Sequence, residues 1–220
     1  MSSPRVVAID GAAGTGKSTL AGRLAKALDL PYVNTGLMYR ALAAAAVRKG
    51  VSPDDASGLL QLTKRLRFNL RVEPPGELEV EGYEVEDLMS VEVESTVSAV
   101  ASHPVVRAHM RREQRQLGDV HGAVMEGRDI ATVVFSDAPV KLYLHAPSDL
   151  RAERRAGERA TARVDEVANA LAARDERDAR TNPHTPAPGA VVLDTSELDP
   201  VRTLEAALEI VRERAPELVP

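Results

Sequence analysis

The chain of 220 residues has no cysteine and no tryptophan, and only two phenylalanines and four tyrosines. The missing cysteine excludes disulfide frameworks, thiolate metal sites and cysteine nucleophiles, and agrees with a reducing compartment. The few aromatics leave a core of Ala, Leu and Val, which the 44% apolar content supplies in quantity. The longest apolar run, Ala41–Val47, falls far short of the roughly 20 residues that cross a bilayer. Nor does the start of the chain carry a targeting pattern. Positive charge is also in deficit, with 28 basic against 33 acidic residues, net −5. A general electrostatic grip on nucleic acid or anionic lipid is therefore not expected, and any bound anion needs a local basic site. The expectation is a soluble cytoplasmic protein with no membrane or nucleic-acid partner, built as one domain or a core carrying small insertions.

Short apolar runs at Val6–Ile9, Pro31–Val33, Ala123–Met125, Val140–Leu144 and Val191–Leu193 alternate with helical patterns. Strands spaced by helices predict an α/β fold, a five-stranded parallel sheet flanked by helices. Ser52-Pro53-Asp54-Asp55 and Asp199-Pro200 read as helix starts, each with a cap and a proline in the first turn. One stretch breaks the alternation. Phe68–Val72, Leu78–Val80 and Tyr83–Val85, separated by turn residues, predict a small antiparallel meander on the substrate side.

Directly after the first strand run stands Gly11-Ala12-Ala13-Gly14-Thr15-Gly16-Lys17-Ser18-Thr19, followed by an amphipathic helix pattern. This is G-x-x-x-x-G-K-S between strand and helix, the arrangement of a P-loop. Glycines let successive backbone N–H groups turn inward on phosphate oxygens, and the helix N-terminus adds its dipole. Lys17 is expected on the β/γ-phosphates, and the Ser18 hydroxyl on Mg²⁺. A nucleoside triphosphate, ATP foremost, is the expected ligand. A conformational GTPase switch would need a guanine-reading motif, and Thr63-Lys64-Arg65-Leu66 lacks its aspartate. Asp55-Ala56-Ser57-Gly58 has the D-x-x-G form but lies in a helical pattern. The five histidines show no metal-ligand spacing. A kinase acting on a small anionic acceptor remains, and it needs arginines against the γ-phosphate. After the second strand Thr35 can cap a helix with Arg40 one turn inside it, Arg128 follows the third, and Arg107, Arg111, Arg112 and Arg115 share one stretch. Arg151, Arg155 and Arg159 recur at helical spacing, where like charges repel and a bound phosphate would relieve them.

Together with the P-loop, five further strings carry a resemblance. They are N-T-G-L-M-Y-R-A, V-S-x-V-A-x-x-P-x-V-R (Val97–Arg107), M-E-G-R-D-I-A-T-V-V-F (Met125–Phe135), A-A-R-D-E-R-D (Ala172–Asp178) and L-D-T (Leu193–Thr195). In this order the chain resembles bacterial cytidylate kinases nearly end to end. The resemblance implies a single P-loop kinase domain over 1–220, with an acceptor-binding insert at about 65–115 and a short lid at about 148–165. It implies ATP and Mg²⁺ with CMP or dCMP as acceptor, in a monomer. Arg40, Arg128 and Arg174 match the family's arginines for the CMP phosphate. Ser98, Arg107 and Asp129 match its cytosine readers, and Asp178 its ribose contact. Thr35 stands near the acceptor, and Arg154 and Arg155 fall in the lid over ATP. Lys17, Arg128 and Asp129 are thereby the expected catalytic set. The family's R-D-x-x-D-S-x-R is one residue shorter here, which shifts Arg180, its remaining acceptor contact. No apolar strand ending in Asp, other than Asp10, offers a carboxylate for the Mg²⁺ waters. Kinases acting on UMP, AMP or shikimate are the alternatives.

Overall fold

The computed structural model describes residues 4–71, 76–157, 163–181 and 185–220. Parallel strands β1 (Val6–Gly11), β2 (Tyr32–Asn34), β5 (Ala123–Gly127), β6 (Val140–His145) and β7 (Val191–Asp194) form one sheet in the order β2-β5-β1-β6-β7. The period of two in a strand sends alternate side chains to opposite faces. Val6 and Ala8 of β1 accordingly join the core under one layer of helices, while Val7 and Ile9 join the other. Ala123 and Met125 of β5 divide from Val124 in the same way. Both faces are covered, which is why these strands read as unbroken apolar runs.

On one face pack α1 (Lys17–Leu28) and α9 (Pro200–Arg214). On the other lie α2 (Thr35–Lys49), α3 (Ala56–Thr63), α5 (Val91–Val100) and α6 (Pro104–His121). The alanines of α2 are small enough to let neighbouring helices approach closely, so this core needs few aromatics. Phe135, fully buried, fills the space that Gly118 leaves, and Arg115 stacks on its ring at 4.4 Å. The helices α7 (Ser148–Gly157) and α8 (Val164–Thr181) bury Ala152, Ala156, Val167 and Leu171 with Ala13, a third small core beside the loop that follows β1.

The inserted region differs from expectation. Phe68–Leu70 (β3) and Leu78–Val80 (β4) pair antiparallel. The third run does not, because Tyr83 follows a turn at Gly82 and Val85 opens the short helix α4 (Val85–Leu88). The meander is therefore a hairpin, anchored to the sheet edge where the Tyr32 N–H donates to the Gly76 carbonyl. Val72 and the Pro74-Pro75 turn lie outside the described residues. The start of α3 is also corrected. Asp55, not Ser52, caps it by accepting from the N–H groups of Ser57 and Gly58. That spends the carboxylate of the D-x-x-G string on structure. At Asp199-Pro200 the expected cap is present.

The end of β1 is tied to the turn after β5 by Asp10. Its two carboxylate oxygens accept from the N–H groups of Ile130 and Ala131 at 2.9 and 2.8 Å. Burial raises this carboxyl to about 6, against the pull of those two bonds. Asp10→Ala leaves two buried donors unsatisfied and should cost about 2–4 kcal/mol. Urea unfolding checks this: the midpoint should fall at constant slope, and an unchanged midpoint would show the bracket to be dispensable.

Candidate active site

The loop from Gly11 to Gly16 runs between the C-terminal end of β1 and α1, where open α/β sheets bind ligands. Two glycines have specific reasons. Gly16 sits at φ 88° as the cap of α1, a conformation most L-residues avoid, and a Cβ on Gly14 would stand 2.8 Å from the Arg151 carbonyl. The loop's carbonyls are held both from within and from outside. Arg128 Nη1 donates to Gly11 at 2.6 Å, the Thr15 hydroxyl and the Lys17 ammonium to Ala12, and Arg151 Nη1 to Ala13 at 3.0 Å. The Thr195 hydroxyl at the end of β7 lies 3.2 Å from the Thr15 carbonyl.

Lys17 is thus folded back onto Ala12 at 2.6 Å. Desolvation and then the nearby Arg128 lower its ammonium to about 7, while Glu126 pulls the other way. Ser18 and Thr19 are exposed at the first turn of α1. Of the loop residues, Ala13, Gly14, Lys17 and Ser18 line one cleft, and Thr15, Gly16 and Thr19 line a smaller neighbouring one with Arg154 and Thr195. Arg154 bonds the Thr195 hydroxyl and carbonyl at 3.0 and 2.6 Å, which fixes it at the rim of that smaller cleft.

The larger cleft gathers most of the expected acceptor residues: Thr35, Arg40, Ser98, Arg107, Arg128, Asp129, Arg174 and Asp178 all line it, with Arg155. They arrive from six elements. Arg107 and Arg111 from α6 both meet Asp129 Oδ2, at 2.7 Å each, and Arg107 and Asp129 are only 7% exposed. Arg128 Nη2 meets Asp178 at 3.0 Å, and Arg174 lies 3.9 Å from the same carboxylate. Burial and Arg128 lower the Arg174 guanidinium to about 10, despite Asp178. The cleft therefore holds more cationic charge than its own carboxylates neutralise.

Two expected placements are not met. Thr35 does not cap α2, because its hydroxyl donates to the Glu126 carbonyl at 2.7 Å. Arg180 is not brought to the cleft: it is exposed and pairs with Glu176 one turn away, while Arg177 and Thr181 line the wall instead. Arg159 and part of the expected lid fall in 158–162, outside the described residues.

Glu126 was not singled out from the sequence, and Arg111 stood there only as one of a run of arginines. Glu126, 3% exposed, ends the apolar run of β5, lines the cleft beside Lys17 and Ser18, and accepts from the Tyr32 hydroxyl at 2.5 Å. An acid closing a buried apolar strand is the usable signal in the sequence, and here that acid is a glutamate rather than an aspartate. Arg111 follows Arg107 by one helical turn, so a shared partner for the two was legible from spacing. Among the described residues, no group of three or more His, Asp or Glu side chains could hold a metal. No helix among them is long and apolar enough to cross a membrane.

Comparison with known proteins follows the same lines. A family model described as cytidylate kinase matches residues 7–213. A cytidylate kinase of Acidiphilium cryptum is 42% identical over 219 residues, 96% of this chain and 97% of the relative. One of Mycolicibacterium paratuberculosis is 39% identical over 224 residues, 98% of each chain. One of Geobacillus kaustophilus is 40% identical over 216 residues, 94% of this chain and 96% of the relative.

The lowered ammonium gives a proton-linkage prediction. At pH 8 most Lys17 in the free protein is neutral, and a polyphosphate placed against it restores the charge. Calorimetric titration with inorganic tripolyphosphate in buffers of different ionisation enthalpy should show proton uptake at pH 8, exceeding that of Lys17→Met by most of one proton. The excess should vanish near pH 5.5, where Lys17 is already charged. Equal uptake by both proteins would remove Lys17 from the anion site.

Proposed function

The chain belongs to the cytidylate kinase family, and from that premise we propose how its residues divide the work. The protein is a kinase that transfers the γ-phosphate of ATP to CMP or dCMP, giving ADP and CDP or dCDP in pyrimidine nucleotide metabolism. One observation carries the assignment of residues: a single cleft is lined by Ala13, Gly14, Lys17 and Ser18 of the phosphate-loop motif, by a buried Arg107–Asp129 pair and by Arg40, Arg128 and Arg174. The whole of 1–220 acts as one kinase domain, with the excursion at 65–115 on the acceptor side and 148–165 as the lid.

Gly11 to Thr19 hold the triphosphate of ATP by backbone N–H groups and the α1 dipole, with Lys17 on the β/γ-phosphates. Arg154, on the rim of the neighbouring cleft, takes ATP, and Arg155, on the same helix but turned to the larger cleft in this structure, joins it as the second lid arginine. The CMP phosphate lies among Arg40, Arg128 and Arg174, and Asp178 takes the ribose. Ser98, Arg107 and Asp129 read cytosine. Two arginines draw on one oxygen of Asp129, and a carboxylate has further lone pairs for the N4 amino group. A uracil carbonyl there would face an acceptor, leaving buried polar groups unpaired.

Mg²⁺ fits the residues present. The Ser18 hydroxyl is exposed at the start of α1, and the buried Glu126 carboxylate lines the same cleft. So few protein ligands suit an ion that keeps its waters and binds mainly to phosphates. When bound, Mg²⁺ neutralises charge on the phosphoryl oxygens. Ser18 would hold it directly and Glu126 through water. The acceptor phosphate is already anionic, so in-line attack needs no general base, and Lys17 and Arg128 stabilise the charge on the transferring group. Exclusion of water by lid and insert keeps ATP from hydrolysis. The monomeric state follows the family.

A coupled ADP-release assay across CMP, dCMP, UMP, AMP, GMP and shikimate tests the assignment, and turnover should be confined to the cytosine nucleotides. Lys17→Ala should fold and lose at least about two orders of magnitude in rate, and near-normal turnover would refute its role. Base and phosphate contacts should fail differently. Ser98→Ala and Arg107→Met should narrow the CMP-to-UMP ratio of kcat/KM by roughly 5- to 150-fold. Arg40→Met should depress both acceptors alike, since both carry the same phosphate. A fixed ratio in the first pair would show that these residues do not read the base.

A further inference from the structure

Glu94 lies on α5 one turn before Ser98, so both occupy the same face of the helix, while Val93, Val97 and Val100 bury the other. It belongs to none of the motifs that carried the family resemblance. Its Oε1 stands 3.1 Å from Arg155 Nη2 on α7, 3.8 Å from Arg40 Nη2 on α2 and 3.8 Å from Arg174 Nη1 on α8. One carboxylate oxygen thus meets guanidinium groups from three separate helices. All four side chains keep only 8–26% of their exposure, so water screens them poorly. Converging cations in such a place repel one another and call for an anion.

We propose that Glu94 is a built-in stand-in for the acceptor phosphate, a residue that competes with CMP for Arg40 and Arg174 and, through Arg155, ties the lid helix to the acceptor side. The proposal rests on the reading that Arg40 and Arg174 hold that phosphate. Three cations that would otherwise push apart are kept assembled by the carboxylate until nucleotide arrives. The substrate phosphate, with close to two negative charges, outbids a single carboxylate for the same guanidinium groups. Displacement still costs affinity, because the tethered carboxylate competes at high effective concentration and only the fraction of molecules with released arginines binds CMP. Release of Arg155 by the same event frees the lid arginine for the donor side. Acceptor occupancy and lid position become linked through one side chain.

Glu94→Gln keeps the shape and the helix propensity and removes the charge. Calorimetry without ATP should give a CMP dissociation constant about 3- to 10-fold lower than wild type, and the acceptor KM should fall with it. Cytidine, which has no phosphate, should inhibit both proteins with the same constant. Glu94→Ala, checked for an intact thermal transition, should reproduce the tightening. CMP binding that weakens or stays the same in both variants would overturn the proposal, as would equal tightening of CMP and cytidine, which would mark a reshaped cleft. Arg40→Met and Arg174→Met separate the two readings. If these lose CMP affinity while Glu94→Gln gains none, the phosphate assignment stands and the role of Glu94 falls. If they bind CMP like wild type, the phosphate assignment fails and takes the proposal with it.

Discussion

A loop that binds phosphate through its N–H groups must keep its carbonyls turned away, since the same peptide units carry both dipoles. In this protein that constraint is met by named donors. The carbonyls of Gly11, Ala12 and Ala13 accept from Arg128, Thr15 with Lys17, and Arg151, and Thr195 stands against the carbonyl of Thr15. Ala12 is held from within, by Thr15 of the loop and Lys17 of α1, while the other donors follow β5, lie on α7 and follow β7, so three surrounding elements complete what the loop's own sequence begins. The strand it leaves is fixed in turn by Asp10, whose carboxylate binds the turn after Arg128 and Asp129. Loop and acceptor wall therefore share one anchor, and a shift in either moves the other. Positioning of this kind supplies most of what an in-line phosphoryl transfer requires.

The same contacts organise the electrostatics. A chain with net charge −5 concentrates Lys17, Arg40, Arg107, Arg128, Arg155 and Arg174 on one cleft. Each cation is set against a carboxylate that is itself fixed: Asp129 by α6, Asp178 on α8, Glu94 on α5 and Glu126 at the end of β5. The compensation is incomplete. Lys17 and Arg174 are both pulled below their ordinary range by desolvation and by Arg128. An anion entering the cleft gains from that deficit, which gives local phosphate affinity to a protein that repels polyanions overall.

Legibility in the sequence followed the range of each interaction. The phosphate loop, the five strands and the cap at Asp199 depend on neighbours within a few residues, and all were readable. The pairing of Arg107 with Asp129 spans 22 residues, and that of Glu94 with Arg155 spans 61. No local pattern encodes such distances. Tyr83–Val85 shows the opposite failure. Its alternation suits a strand, but the turn at Gly82 and the acids Glu84, Glu86 and Asp87 start a helix whose Leu88 is buried, and tertiary packing overrides the weak β pattern. Thr35 was misread for a similar reason. A threonine before a helix suggests a cap, but β5 presents the Glu126 carbonyl 2.7 Å from its hydroxyl.

That Thr35 bond leads back to the site. Glu126 has its carbonyl on Thr35 and its carboxylate on Tyr32, so main chain and side chain are both fixed from β2 and the start of α2. A Cβ on Gly127 would stand 2.6 Å from the Thr35 hydroxyl and 2.8 Å from Ile130, which explains why the next residue is glycine. Glu126 and Gly127 end β5, and Arg128 and Asp129 bend from it into the cleft. The side chains of Glu126, Arg128 and Asp129 meet, in order, the Tyr32 hydroxyl, the loop and Asp178, and the α6 arginines. Four consecutive residues thus connect the proposed metal side, the phosphate loop and the base-reading wall. A substitution that loosened this turn would disturb all three at once, so specificity for the base and geometry at the phosphate are coupled by backbone rather than by any one side chain.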